Sequence, residues 1–131
     1  MQFTLALAAA IFASAISAAP AMQSRDTVYP LIKVSVMNDQ TGRFATVEIP
    51  GDGHAHALPD LFRDSPIDQD GAIMATSAQL ISYTPLTHCF FQNVNDIINM
   101  YGKGQNYVDL DGQAGVAAPR NMNAFNLQCN A

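Results

Sequence analysis

The residues best suited to chemistry lie in the stretch GDGHAH, positions 51–56. The chain has only three histidines, and two of them stand here, one residue apart, behind an aspartate. On an extended backbone, side chains alternate between faces, so Asp52, His54 and His56 would share one side. A His-x-His pair on a strand is a zinc or copper arrangement, and Asp60 or His88 could complete a four-ligand set. Against this, Gly51 and Gly53 flank the aspartate, and two glycines favour a turn over a ligand-presenting strand. The expectation is therefore that His54 and His56 are solvent-exposed loop residues and that the protein needs no cofactor. A metal site at Asp52, His54 and His56 stands as the alternative.

Other patterns lead less far. The Asp-Gly pairs in DQDG and DLDG suggest calcium, yet an EF-hand register starting at Pro66 or Tyr107 puts Ser77 or Ala118 where a bidentate glutamate is required. They read as turns. No Gly-x-Ser-x-Gly elbow and no phosphate-cradling glycine loop occurs in the sequence. Glycoside hydrolysis needs two facing carboxylates, and no pair among the aspartates is singled out. These observations give no catalytic residue, and a non-enzymatic protein is expected.

The elements that must position any site are short strands. In LIKVSVMN, Ile32, Val34 and Val36 alternate with Lys33 and Ser35; in RFATVEI, Ala45, Val47 and Ile49 fall on one face. The polar residues 39–42, ending in Gly42, join the two as a β-hairpin. LPDLFRD suits a single helical turn. AIMATSAQLISY is long enough for one strand, with Ile73, Ala75 and Ile81 opposite Met74, Ala78 and Leu80, and Pro85 stops it. THCFFQN puts Cys89 and Phe91 on one face and His88 and Phe90 on the other. NVNDIINMYGKG fits either a short helix capped by Asn95 or a strand followed by a glycine turn. NYVDLDG and AFNLQC close the chain as strands, the latter with Phe125, Leu127 and Cys129 on one side. The expected fold is all-β, a small antiparallel sandwich or barrel with at most one short helix. In it Phe90 lies either in a second core layer or on the surface as a partner contact.

The chain ends suggest where this domain works. Residues 3–16 form an apolar run too short for the roughly twenty residues that cross a bilayer, and small residues follow it. Residues 1–18 are expected to be a signal peptide cut at Ser17, Ala18 or Ala21, followed by a flexible segment (19–30) and a single β-rich domain (31–131). The expected location is secreted and extracellular, with no membrane anchor. In an oxidising compartment Cys89 and Cys129 are expected to pair, adding about 4 kcal/mol in the chain-entropy picture. Six lysines and arginines against eleven acidic residues leave a net charge of −5, which argues against nucleic acid as a partner.

The hairpin VSVMNDQTGRFATVEIP, ATSAQL ahead of a cysteine strand, and VDLDG ahead of a terminal cysteine form a layout that follows an apolar leader. That layout resembles small secreted proteins of filamentous fungi, a set that includes plant-directed effectors and cell-death elicitors. The resemblance implies a β-rich, disulfide-stapled protein that contacts a host protein or cell-surface component and modulates plant immunity or cell death. Two other classes remain: a secreted metal-dependent or hydrolytic enzyme using the Asp52, His54 and His56 loop, and a structural or ligand-binding cell-surface β-protein.

Overall fold

The computed structural model describes residues 28–112 and 115–131. The expected signal peptide and the first part of the expected flexible segment lie outside the described residues. The described chain begins as an exposed, irregular stretch, residues 28–30, and enters its first strand at Leu31.

Eleven strands and one short helix follow among the described residues: β1 (Leu31–Asn38), β2 (Arg43–Pro50), β3 (His56–Ala57), α1 (Leu58–Phe62), β4 (Asp68–Gln69), β5 (Ala72–Ala75), β6 (Ser77–Ser82), β7 (His88–Asn93), β8 (Asp96–Tyr101), β9 (Tyr107–Asp109), β10 (Arg120–Asn121) and β11 (Asn126–Asn130). All pairings are antiparallel. One sheet has the order β2-β1-β6-β9, a second β3-β11-β7-β8, and a small third sheet β10-β5-β4. The fold is all-β, and the short helix is the turn read from LPDLFRD.

Period-two alternation explains the layering. Ile32, Val34, Val36, Ile49, Ala78, Leu80 and Val108 come inward from the first sheet; Cys89, Phe91, Met100, Leu127 and Cys129 come inward from the second. They meet in one contiguous core, which Leu58 and Phe62 of α1 and Phe125 also enter. Non-directional burial of this apolar surface is the main force holding the layers together. Cys89 and Cys129 stand directly opposite each other on β7 and β11, their Cα atoms 4.0 Å apart, and form the disulfide. Both are fully buried.

The chain departs from expectation in two places. AIMATSAQLISY is two strands in two sheets, broken at Thr76. Ile73 and Ala75 are buried at odd positions, but Ala78 and Leu80 are buried at even ones, so the inward face changes parity across the break. Ile81 was expected beside Ile73 and Ala75. It falls instead at an irregularity in the β1–β6 register, where Lys33 pairs with Ser82 and Val34 with Leu80, and is half exposed. The second departure is smaller: of the two readings of NVNDIINMYGKG, the strand holds. A two-residue turn at Val94 and Asn95 joins it to β7, with Asn93 opposite Asp96.

Buried polar groups fix the break at Thr76. Its N–H donates to the Met37 carbonyl at 2.8 Å, and its own carbonyl accepts from Leu110 N–H at 2.8 Å. The Thr76 hydroxyl accepts from the Asp39 N–H (2.9 Å) and donates to the Asp39 carboxylate (2.6 Å), to which the Ser77 hydroxyl also donates (3.0 Å). A single residue thus ties the tip of the first hairpin to the start of β6 and the end of β9. Thr76→Val keeps the shape and removes the hydroxyl. It leaves the Asp39 N–H without its partner, so unfolding should show a loss of about 1–2 kcal/mol by chemical denaturation at unchanged m-value.

Candidate functional site: a corner and a cleft

The GDGHAH stretch is the corner by which the chain leaves the first sheet for the second. Gly51 follows β2 and is packed so closely that a Cβ there would lie 2.8 Å from the Ala131 side chain and 3.0 Å from Ile32. Asp52 then bridges to Asn130, and Gly53 N–H donates to the Cys129 carbonyl at 2.8 Å, which attaches the corner to β11. Gly53 has a φ of +82°, a conformation that glycine adopts without strain. The Asp52 carboxylate accepts from the His54 N–H at 3.0 Å and lies 2.9 Å from His54 Nδ1.

Asp52 and His54 are therefore together, but His56 is not with them. It is a strand residue, correcting the expectation of a solvent-exposed loop position. As part of β3 it stands opposite Leu127, a core residue, so its ring is directed inward and its Nε2 is buried without a hydrogen-bond partner. His54 stays exposed. No group of three or more His, Cys, Asp or Glu residues suited to a metal ion occurs among the described residues. His88, the other possible ligand, bonds Asn99 through Nε2 at 2.9 Å and stacks on Tyr101, with ring centres 4.7 Å apart.

A second feature was not anticipated. β8 is the edge of the second sheet and β9 the edge of the first, and the turn at residues 102–104 joins them. They start as a hairpin, with Tyr101 N–H donating to the Gln105 carbonyl at 2.7 Å, and then diverge because each is claimed by a different sheet. Gly102 is pinned at this point. Its N–H donates to the Thr87 carbonyl at 2.8 Å, and a Cβ would collide with the Thr84 carbonyl oxygen. Between the splayed arms lies a wide-open, shallow cleft of about 700 Å³ lined by Ile97, Ile98, Asn99, Tyr101, Gln105, Tyr107, Val108 and Asp109. Such a volume lies within the range of ligand-binding clefts, roughly 300–1,000 Å³.

Arg120 spans the far end. It donates through Nη2 to the Asp96 carboxylate at 2.6 Å and through Nη1 to the Leu110 carbonyl at 3.3 Å, joining the start of β8 to the residue after β9. Its guanidinium also lies over the Phe125 ring, 4.7 Å from the centroid. The cleft is thus bounded by a turn at one end and a cation at the other.

The outer face of the second sheet adjoins this cleft. Across it run the rows Tyr101–His88–Asn130, Asn99–Phe90–Gln128 and Ile97–Gln92–Asn126, in which the only side chain able to carry charge is His88. Phe90 is on this outer face, half-buried, with its ring centre 5.4 Å from that of His88. At the tip of the β7–β8 hairpin, Val94 is exposed and held at a φ of +57°, an uncommon conformation for a β-branched residue.

Two measurements check these assignments. The hydrogen bond from the His54 backbone N–H, followed by that from its side chain, holds the Asp52 carboxyl below the usual carboxylate range. A depressed folded-state pKa stabilises above the unfolded value of about 3.9, and this contribution is lost as pH falls through the folded value. Asp52→Asn retains an acceptor for the backbone bond without the titration, so its acid-unfolding profile should be flatter than the parent's in that window. Arg120→Ala removes an ion pair and a cation–π contact at a partly exposed site, and should cost about 1–2 kcal/mol in denaturant unfolding.

Comparison of the chain with protein-family models, with curated proteins and with solved structures gives no significant match.

Proposed function

We propose that this chain is a secreted, non-enzymatic binding protein of the fungal effector or elicitor kind, which engages a host component through the β8–β9 cleft and the adjoining sheet face. The observation that carries the reading is the cleft itself. Two sheet edges stand apart within one rigid core, and the large side chains along them, Ile97, Tyr101 and Tyr107, are exposed. Exposed apolar and aromatic groups gathered at one place mark contact sites, and tyrosines suit an interface because one end is apolar and the other bonds to water. Phe90 and Val94 extend the surface away from the cleft. An apolar leader and a buried disulfide support a working place outside the producing cell.

The reading is tested by infiltrating plant tissue with the purified, folded mature protein beside a heat-treated control. A double variant, Ile97→Ser with Tyr107→Ser, changes only exposed positions and should leave stability within about 1 kcal/mol of the parent. The parent is expected to provoke cell death or to alter an immune response, with the double variant needing at least about tenfold more protein for the same effect, or about 1.4 kcal/mol of lost binding. An equal response from the two proteins, or no response from the parent, would count against the proposal.

A further inference from the structure

The backbone of the cleft walls gives the chemistry of its occupant. In an antiparallel ladder, alternate residues turn their N–H and C=O groups toward opposite neighbours. Tyr101 N–H points across to Gln105, so on β8 the backbone groups of Ile97 and Asn99 point to the same side, into the cleft. On β9, Asn106 and Leu110 bond toward β6 and Thr76, so Tyr107 and Asp109 turn theirs the other way, toward β8. Beyond the Tyr101–Gln105 bridge, neither edge has a ladder partner among the described residues.

We infer that the occupant is an extended peptide segment of the partner, which enters the cleft as an added strand and joins the two four-stranded sheets into one. The inference rests on the functional reading above. Two facing rows of unpaired backbone donors and acceptors are matched by another strand, since a peptide carries both groups along both of its edges. Because the cleft walls run in opposite directions, the inserted strand is antiparallel to one and parallel to the other. It runs antiparallel to β8, the longer wall and the one offering the more stable pairing.

Side chains of such a strand alternate. Those directed inward rest on Ile98 and Val108 and must be small and apolar. Those directed outward lie between Ile97 and Tyr107, with one near Asp109. Asp109 lines that end of the cleft, and Arg120, the cation beside it, is already paired with Asp96, so a lysine or arginine of the peptide is favoured next to Asp109. With the strand antiparallel to β8, this basic residue falls toward the peptide's C-terminal end.

The experiment pans a displayed library of linear heptapeptides on the immobilised, disulfide-bonded mature protein, with a neutral oligosaccharide array as the second arm. Enriched sequences should alternate small apolar residues and carry a basic residue in the C-terminal half. A synthetic peptide of that sequence should lose at least about tenfold in affinity when alternate backbone nitrogens are methylated, which blocks edge pairing and leaves the side chains in place. The same loss is expected on Asn99→Pro, which removes one cleft-facing N–H and leaves the β7 ladder intact; Tyr107→Pro tests the other wall should the first variant fold poorly. Amide exchange at Ile97, Asn99, Tyr107 and Asp109 should slow in the complex. No enrichment, or peptides indifferent to backbone methylation and to both proline variants, overturns the inference. Oligosaccharide binding that depends on the cleft also overturns it while leaving the functional reading in place, whereas a tissue response blind to Ile97 and Tyr107 removes that reading itself.

Discussion

A chain this short can enclose a two-layer core only if its strands change sheets, and the hydrogen bonds centred on Thr76 make one such change possible. The sequence of β5 and β6 reads as one continuous strand, and these bonds hold the interruption between them. The break assigns β5 to the small sheet and β6 to the flank of β1, and β6 in turn recruits β9. β9 then follows β6 in the first sheet while β8 follows β7 in the second, so the two arms part beyond the Tyr101–Gln105 bridge and leave their outer edges unpaired among the described residues. The cleft is thus a remote product of one backbone interruption. A buried threonine hydroxyl serves here because it both accepts and donates, meeting the N–H and the carboxylate of Asp39 at once.

A parallel constraint operates at the other crossing. Gly51 and Gly53 let β2 turn onto β11 at a distance that any Cβ would obstruct. The residues between and after them inherit their surroundings from this turn. Asp52 bonds to the backbone two positions on, as aspartates in turns do, while His56 is drawn into β3 and faces the core. The same two glycines that argue against a His-x-His ligand pair therefore separate its two histidines.

Much of the fold was legible because strands advertise themselves by alternation. The first hairpin, the outward pair His88 and Phe90, and the inward set Phe125, Leu127 and Cys129 follow directly from period-two spacing. The disulfide follows because both cysteines sit on apolar faces. The break at Thr76 was hidden because an alternating run can lose one residue of phase without leaving a glycine or proline to mark it. His56 was misplaced for a related reason. The glycines showed that a turn occurs but not where the next strand begins, and two residues of strand are too few to leave a pattern. The cleft could not be read at all. The sequence contains two strands and a glycine turn, the signature of an ordinary hairpin, and nothing local records that each arm is taken by a different sheet.

The bridge between Cys89 and Cys129 has a bearing on what a single cut in the chain can do. Both walls of the cleft and Arg120 lie within the covalent loop it closes. A protease that cuts once between the two cysteines leaves the pieces attached, and the terminal strand β11, fixed in the middle of its sheet, cannot drift away. The sulfurs themselves are buried, so a reducing agent gains access only when β7 and β11 separate. Reduction of the bridge is then governed by how often that one pair of strands opens.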